Sequence, residues 1–248
     1  VFPVDIGVAC GLGPLGSRFP LIDRKIRRGT ANFTREPAMT RREALAAVLT
    51  GMDMARALKE EGYEILAAGE MGIGNTTASS AVTAALLSAD PAETTGRGAG
   101  LSSEGLSRKI DAVRRGLLLH RPDPCDGMGI LRAVGGLDLA GLCGLCLGGA
   151  AYRIPVVLDG FISAAAAAAA TALESHVPEY VLASHVSAEP AGERLLSFLG
   201  LKPAIRAGLC LGEGTGALAL FPLLDMALEV YNRMRTFEEI QIEEYRPL

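Results

Sequence analysis

The segment RIPVVLDGFISAAAAAAATAL, from Arg153 to Leu173, decides the fold because it predicts a strand that leads directly into a helix. Pro155 to Leu158 is short and wholly apolar, which is typical of a strand buried on both of its faces. Asp159-Gly160 ends this strand, and the alanine-rich run behind it favours a helix. A buried strand followed by a helix indicates one unit of a parallel sheet.

The same alternation extends in both directions along the chain. Short apolar segments at Ile65 to Ala68 and Tyr180 to Ala183 are separated by long helical patterns, and Thr40 with Glu43 has the spacing of a capping box. The pattern predicts an α/β fold: a mostly parallel sheet with helices on both faces, in three Rossmann-like layers. We expect a single domain over residues 1–248, with room for a small helical subdomain formed by the terminal segments.

Composition restricts the classes of function. The chain has 248 residues, of which 49% are hydrophobic and 21% charged, so a folded domain with a sizeable core is expected rather than disorder. Its net charge is −4, which argues against a nucleic-acid partner. The most apolar run, Phe161 to Leu173, is too short to cross a bilayer, so no membrane partner is expected.

The cysteines and histidines point away from metal and redox chemistry. The five cysteines are an odd number without a regular framework, which predicts a reducing, cytoplasmic location. Cys143 and Cys146 form a C-x-x-C pair inside an apolar stretch, with no second pair to complete a zinc site. The three histidines are scattered without the spacing of metal ligands. We therefore expect no metal site and no cofactor.

Four loops follow apolar segments and place a polar group beside glycine or serine. They are Gly69 to Thr77, Asp159-Gly160, Ser184 to Ser187, and Gly212 to Gly216. Ligands of parallel sheets bind beyond the carboxyl ends of the strands. Since the loops are expected at that edge, the sequence predicts a ligand site there.

The loop from Gly69 to Thr77 has the features of a phosphate cradle. Gly72 and Gly74 allow the backbone to approach an anion, while Asn75 and Thr76 open a helix whose free N–H groups favour phosphate. The spacing of the glycines matches neither a Walker loop nor a dinucleotide fingerprint. A tight turn that needs glycine for steric reasons explains the same pattern, so both interpretations stay open.

Three further side chains are candidates on position alone. Glu213 stands between two glycines, before a helix and after Ala207 to Leu211, which we interpret as a hydrophobic strand. It can contact a ligand or cap the helix, and both roles stay open. Lys109, on a helix that begins near Ser102, is expected in solvent from its spacing. His185 is expected to be a hydrogen-bonded structural imidazole.

Eight stretches of the chain follow one another in a distinctive order. They are KIRRGTANF (Lys25 to Phe33), EPAMTRREAL (Glu36 to Leu45), GEMGIGNTT (Gly69 to Thr77), GRGAGL…GLSRK (Gly96 to Lys109), GGLDLAG (Gly135 to Gly141), RIPVVLDGF (Arg153 to Phe161), SHVSAEP (Ser184 to Pro190) and LGEGTGALAL (Leu211 to Leu220). In this order they resemble the nicotinate-nucleotide:dimethylbenzimidazole phosphoribosyltransferase family. Each glycine motif is weak alone, but together they span nearly the whole chain, and their shared order makes the resemblance specific.

The resemblance implies an enzyme that transfers phosphoribose from nicotinate mononucleotide to dimethylbenzimidazole. The products are nicotinate and α-ribazole phosphate, which serves the lower ligand of cobalamin. A parallel α/β fold with a smaller helical part, a homodimer and small-molecule substrates are implied as well. Two alternatives remain: a nucleotide-binding subunit that is catalytically silent or truncated, and the same transfer to a different aromatic acceptor.

Site residues are implied only where this sequence matches the family motifs. Glu213 matches the catalytic base. The substrate-binding residues implied in the same way are Glu70, Gly72, Asn75, Thr76, Gly98, Lys109, Asp159 and Ser187. Of these, Gly72, Asn75, Thr76 and Gly98 fall in the region of the substrate phosphate. Full-length family members continue upstream of the position that aligns with Val1, so we expect this chain to lack an N-terminal portion of the family.

Overall fold

The computed structural model describes residues 1–12 and 20–243 of the protein. Its strands are β1 (Val4–Asp5), β2 (Ile22–Asp23), β3 (Leu66–Ala67), β4 (Val156–Leu158) and β5 (Val181–Ala183). Its helices are α1 (Arg41–Glu60), α2 (Thr76–Leu86), α3 (Pro91–Thr94), α4 (Ser103–His120), α5 (Gly127–Val134), α6 (Leu137–Tyr152), α7 (Phe161–Leu173), α8 (Gly192–Phe198) and α9 (Thr215–Arg233). A short 3-10 helix, Val177–Tyr180, precedes β5.

The sheet that organises the fold is parallel and has β4 at its centre, between β3 and β5. Val156 pairs with Leu66 on one side and with Val181 on the other. β1 and β2 form a separate parallel pair, in which the buried Asp5 is joined to Lys25 by an ion pair of 2.5 Å. The predicted strands around β3, β4 and β5 are confirmed, although each is shorter than its apolar segment.

Helices cover both faces of this sheet because the side chains of β4 alternate between two apolar clusters. Val156 and Leu158 belong to the main core, and β4 contacts α6 and α7. Val157 packs instead with Ala217 and Leu220 of α9. The predicted α/β architecture, with helices on both faces of a parallel sheet, is confirmed.

One predicted strand is wrong. Ala207 to Leu211 is irregular, and the nearest strand-like pairing is a single bridge between His185 and Ile205. Gly208 has a φ of 63°, a left-handed conformation that interrupts an extended chain. Glu213 is therefore reached through a loop rather than from the end of a strand.

Helices α1 and α6 pack with their backbones in contact. A Cβ atom on Gly51 would lie 1.9 Å from the carbonyl oxygen of Gly141, and one on Gly144 would lie 1.9 Å from that of Val48. Cys146 is buried on α6, and this burial raises the pKa of its thiol to about 12, so the thiol stays protonated and unreactive. Across residues 1–12 and 20–243, we find no helix with both the length and the hydrophobicity to span a membrane.

Candidate active site

Glu213 lies in a loop in which three consecutive residues have left-handed backbone conformations. The φ angles are 79° at Gly212, 58° at Glu213 and 80° at Gly214. Glycine adopts this region at little cost, whereas a residue with a side chain pays about 1–2 kcal/mol. The surrounding structure must hold such a conformation, and strain of this kind clusters at functional sites. The side chain of Glu213 is exposed.

Asp159, buried at the end of β4, holds this loop in place. Its Oδ2 accepts a hydrogen bond from the N–H of Gly214 at 3.0 Å, and its Oδ1 accepts from Gly216 at 2.7 Å and Ala217 at 3.2 Å. The carboxylate thus satisfies free N–H groups at the start of α9 and complements the helix dipole. Both oxygens are occupied by the backbone, so the geometry favours an anchoring role for Asp159 over the substrate contact that the resemblance implies.

His185 lies beneath the same loop. A Cβ atom on Gly216 would come within 2.1 Å of His185 Nδ1, so only glycine fits between this imidazole and α9. Ser184 Oγ lies 3.0 Å from the same nitrogen and donates to the carbonyl oxygen of Leu158 at 2.6 Å. Burial lowers the pKa of His185, and the negative charge of Asp159 partly offsets this shift. These contacts agree with the structural role expected for His185.

Glu70 is half-buried beside the Glu213 loop. Its backbone carbonyl accepts a hydrogen bond from the N–H of Glu213 at 2.9 Å, and its carboxylate accepts one from the N–H of Gly72. Burial raises the pKa of Glu70, the nearby charge of Asp138 raises it further, and hydrogen bonds from Asn75 and Gly72 oppose both effects. Glu70 therefore binds a proton more readily than an ordinary glutamate.

The side chain of Asn75 is directed toward carboxylates. It is 8% exposed, and its Nδ2 donates to Asp138 Oδ2 at 2.6 Å. It makes no side-chain capping bond at the start of α2. The predicted contact with the substrate phosphate therefore depends on the backbone at this position and not on the amide.

Lys109 belongs to a buried cluster, and its expected position in solvent is wrong. Only 6% of the residue is exposed, and its Nζ donates at 2.9 Å both to Thr76 Oγ1 and to the carbonyl oxygen of Gly96. A Cβ atom on Gly98 would lie 2.7 Å from Thr76 Oγ1 and 3.5 Å from Lys109 Nζ. Burial lowers the pKa of Lys109, and the charge of Glu189 opposes this shift. The pattern of helix α4 could not reveal this burial, because the groups that enclose Lys109 come from other segments of the chain.

The start of α2 faces this cluster. Within the described residues, the N–H groups of Thr76, Thr77 and Ala78 have no hydrogen-bond partner. Free N–H groups at a helix start attract anions, and the ammonium group of Lys109 adds a full positive charge beside them. The arrangement suits a phosphate group.

The loop that follows β5 contacts the segment from Gly96 to Gly98, which belongs to the cluster around Lys109. Ser187 is half-buried, and its Oγ accepts a hydrogen bond from the N–H of Glu189 at 3.3 Å. Glu189 Oε1 accepts from the N–H of Gly98 at 3.2 Å, and a Cβ atom on Gly96 would collide with Glu189 Oε2 at 1.7 Å. Ser187 therefore stands next to the residue that fixes Gly98.

Comparison with known proteins identifies the family. The family described as Phosphoribosyltransferase (DBI_PRT) matches residues 1–242. The nicotinate-nucleotide--dimethylbenzimidazole phosphoribosyltransferase of Ruminiclostridium cellulolyticum is 45% identical over 245 residues, which are 99% of this chain and 68% of that protein. The protein of the same name from Roseiflexus sp. is 48% identical over 239 residues, 96% of this chain and 67% of its own length. The chain belongs to this phosphoribosyltransferase family.

Solved structures agree with this assignment. CobT from Thermus thermophilus superimposes with a TM-score of 0.90 at 41% identity, over 98% of this chain and 72% of that one. The chain thus spans about two thirds of the length of the relatives it matches.

The residues predicted for the phosphoribosyltransferase site form two groups on one turn, Gly69 to Thr77. At its first end the backbone N–H of Glu213 donates to the backbone carbonyl of Glu70, and at its second end Thr76, Gly98 and Lys109 meet. Sequence reasoning missed Asp138 and Glu189 as members of these groups. The available signal was their position in GGLDLAG and SHVSAEP, two of the stretches that carry the family resemblance.

A sizeable cavity lies away from both groups. It has a volume of about 660 Å³, lies between the segment 27–41 and the start of α5, and is lined in part by Arg27, Arg41 and Arg132. A much smaller void borders Asp159 and Ser187. Among the described residues, no three histidine, cysteine, aspartate or glutamate side chains are grouped so as to hold a metal ion.

Proposed function

We propose that this chain transfers phosphoribose from nicotinate mononucleotide to dimethylbenzimidazole, with Glu213 as the general base. The observation that carries the proposal is the turn Gly69 to Thr77, which contacts the Glu213 loop at one end and Lys109 at the other. A carboxylate at one end and a cluster suited to phosphate at the other match a nucleotide. In a nucleotide the reacting ribose carbon and the phosphate lie at opposite ends of the sugar. The relatives carry the name of this reaction.

The proton balance of the reaction needs one base. The ring nitrogen bonded to ribose is cationic in nicotinate mononucleotide, so nicotinate keeps the electron pair of the breaking C–N bond and leaves as a neutral pyridine. A nitrogen of dimethylbenzimidazole forms a new bond to the same ribose carbon from the opposite face, which inverts β to α. The N–H proton of the benzimidazole passes to the carboxylate of Glu213.

The other groups bind and position the nucleotide. The substrate phosphate is expected at the start of α2, where Lys109, Thr76 and the backbone of Gly98 surround free N–H groups. The half-buried carboxylate of Glu70 is suited to stabilise the positive charge that develops on ribose in an oxocarbenium-like transition state. Holding both aromatic rings in line supplies further acceleration through positioning.

The test is release of nicotinate from nicotinate mononucleotide, measured with and without dimethylbenzimidazole. Glu213→Gln should lower turnover by roughly 10² to 10⁴, because the variant keeps the shape of the side chain but cannot accept the proton. Binding of the nucleotide, measured by calorimetry, should change little. Unchanged turnover in this variant would remove Glu213 from the role of base.

A second candidate function is nucleotide binding without turnover. The observation that favours it is the exposure of Glu213, since a base open to solvent is poorly placed to hold an acceptor ring. Nucleotide binding with no acceptor-dependent release of nicotinate would support this alternative. Release that requires a different aromatic base would keep the chemistry and change the acceptor.

The proposal extends to partners and location. A homodimer is the assembly that the family resemblance implies. The five cysteines are free thiols, which suits a reducing compartment such as the cytoplasm.

A further inference from the structure

Glu189 packs its carboxylate against the segment Gly96 to Gly98. Its Oε1 accepts a hydrogen bond from the backbone N–H of Gly98 at 3.2 Å, across 91 positions of sequence. A Cβ atom on Gly96 would lie 1.7 Å from its Oε2, so only glycine leaves room for this carboxylate. Glu189 therefore fixes the segment from a distant part of the chain.

The backbone of Glu189 is itself held by hydrogen bonds. Its N–H donates to Ser187 Oγ at 3.3 Å, and its carbonyl oxygen accepts from the N–H of Gly192 at 2.9 Å. Pro190 packs on the same segment, because a Cβ atom on Gly96 would lie 2.8 Å from Pro190 Cδ. The Glu189 side chain thus extends from a turn that its own contacts stabilise.

The second oxygen of this carboxylate has no hydrogen-bond partner. Glu189 Oε2 is buried, and no donor among the described residues reaches it. A buried carboxylate oxygen without a partner costs stability, so its presence in a folded protein calls for an explanation. The cost indicates that Glu189 serves its bond to Gly98 rather than the stability of the fold.

The segment that Glu189 fixes is one wall of the cluster around Lys109. Lys109 Nζ donates to the carbonyl oxygen of Gly96 and to Thr76 Oγ1, both at 2.9 Å. An ammonium group has three N–H donors, so two are used within the described residues and one is left for a ligand. The direction of this third donor depends on where Gly96 holds the ammonium group.

We propose that Glu189 is a positioning residue for the phosphate of the nucleotide, which acts by holding Gly96 to Gly98 against Lys109. The inference rests on the proposed function, in which this cluster binds the phosphate. Within the described chain Glu189 forms no ion pair with a lysine or arginine, so it is not the counter-ion of Lys109. Its hydrogen bond to Gly98 carries the effect, and an uncharged acceptor can replace it.

Two substitutions separate the hydrogen bond from the charge. Glu189→Ala removes the acceptor of the Gly98 N–H, so the dissociation constant of nicotinate mononucleotide should rise by about 10- to 100-fold. Glu189→Gln keeps an oxygen that accepts from Gly98, so its affinity should stay within a few-fold of the wild type. Glu193→Ala, which removes an exposed glutamate from α8, is the matched control.

A ligand without the phosphate distinguishes positioning of the phosphate from a general structural role. Titration calorimetry measures the binding of nicotinate mononucleotide and of nicotinate riboside to each protein. In Glu189→Ala the nucleotide should bind more weakly, whereas the riboside should bind as it does to the wild type. Equal weakening of both ligands would overturn the inference, because the effect would then not concern the phosphate.

Gly96→Ala tests the same contact from the other side, with Glu189 intact. Its Cβ atom would collide with the Glu189 carboxylate, so the segment must move, and the nucleotide should again lose affinity while the riboside does not. Wild-type affinity for the nucleotide in both Glu189→Ala and Gly96→Ala would overturn the inference, as would a wild-type protein that binds the two ligands equally. Absence of acceptor-dependent nicotinate release in the wild type would instead count against the proposed function, since the binding measurements need no turnover.

Discussion

At the scale of single residues, the candidate site combines carboxylates that have different tasks. Asp159 gives both of its oxygens to the start of α9, which fixes the strained backbone at Glu213. The Glu70 carboxylate lies beside that loop and accepts a hydrogen bond from the N–H of Gly72, in surroundings that favour its protonated form. Asp159 therefore stabilises the fold, whereas Glu70 is held in surroundings that oppose its negative charge.

The pH dependence of stability should reveal this cost at Glu70. Because the pKa of Glu70 is raised on folding, its contribution to stability is fullest below the ordinary value of 4.5 and is lost as the pH rises through the folded value. Glu70→Gln should therefore raise Tm at pH 7, on the order of 2–4 °C for each kcal/mol recovered, and the gain should disappear near the ordinary pKa of glutamate.

Thermal unfolding followed by circular dichroism at several pH values checks this prediction. Glu64→Gln provides the control, since Glu64 is an exposed glutamate just before β3. An equal change in Tm at all pH values would show that ionised Glu70 costs the fold nothing.

At the scale of elements, the packing of α1 on α6 depends on glycine. An alanine at position 144 would place its Cβ atom 1.9 Å from the Val48 carbonyl oxygen, which is backbone and cannot rotate away. Glycine-to-alanine replacement normally strengthens a helix by about 1 kcal/mol. Here the collision must separate two helices that pack through their backbones, so the sign of the effect should reverse.

We predict that Gly144→Ala lowers the free energy of unfolding by about 3 kcal/mol or more. Urea unfolding followed by far-ultraviolet circular dichroism measures the change. Gly11→Ala is the control, because a Cβ atom there meets no described residue within 4 Å. If both variants were equally stable, the close contact between α1 and α6 would not exist in solution.

At the scale of the whole molecule, α9 covers one face of the sheet and leaves its opposite side open. Large apolar side chains in the second half of α9 are exposed, among them Met226 at 57%, Val230 at 58% and Tyr231 at 83%. Exposed apolar side chains grouped on one helix are typical of regions that associate with other protein surfaces. The feature agrees with an assembly larger than one chain.

We therefore expect sedimentation velocity to give a species of twice the chain mass of 25.8 kDa, as the proposed homodimer requires. The association should persist at high salt, because apolar burial is not screened by ions. A species that remains at the mass of one chain at micromolar concentration would contradict the homodimer.

The sequence by itself determined the layers of this protein, the family and the start of several of its helices. A buried apolar segment such as Val156–Leu158, followed directly by a helix, is typical of a central strand, and the capping box at Thr40 and Glu43 is confirmed because its contacts are local. The strand expected at Ala207 to Leu211 does not form, although the segment is mostly apolar. Gly208 has a left-handed backbone conformation, and within the described residues no strand pairs with this segment.

Only the tertiary structure decided which charges meet. Lys109 is buried because Gly96 and Thr76 close over it, and Asn75 reaches Asp138 across 63 positions of the chain. Periodicity and capping act between near neighbours, whereas burial, pKa shifts and bridges arise when distant segments pack together. Sequence motifs therefore identify most residues of the candidate site. The packing of distant segments decides what each of those residues does there.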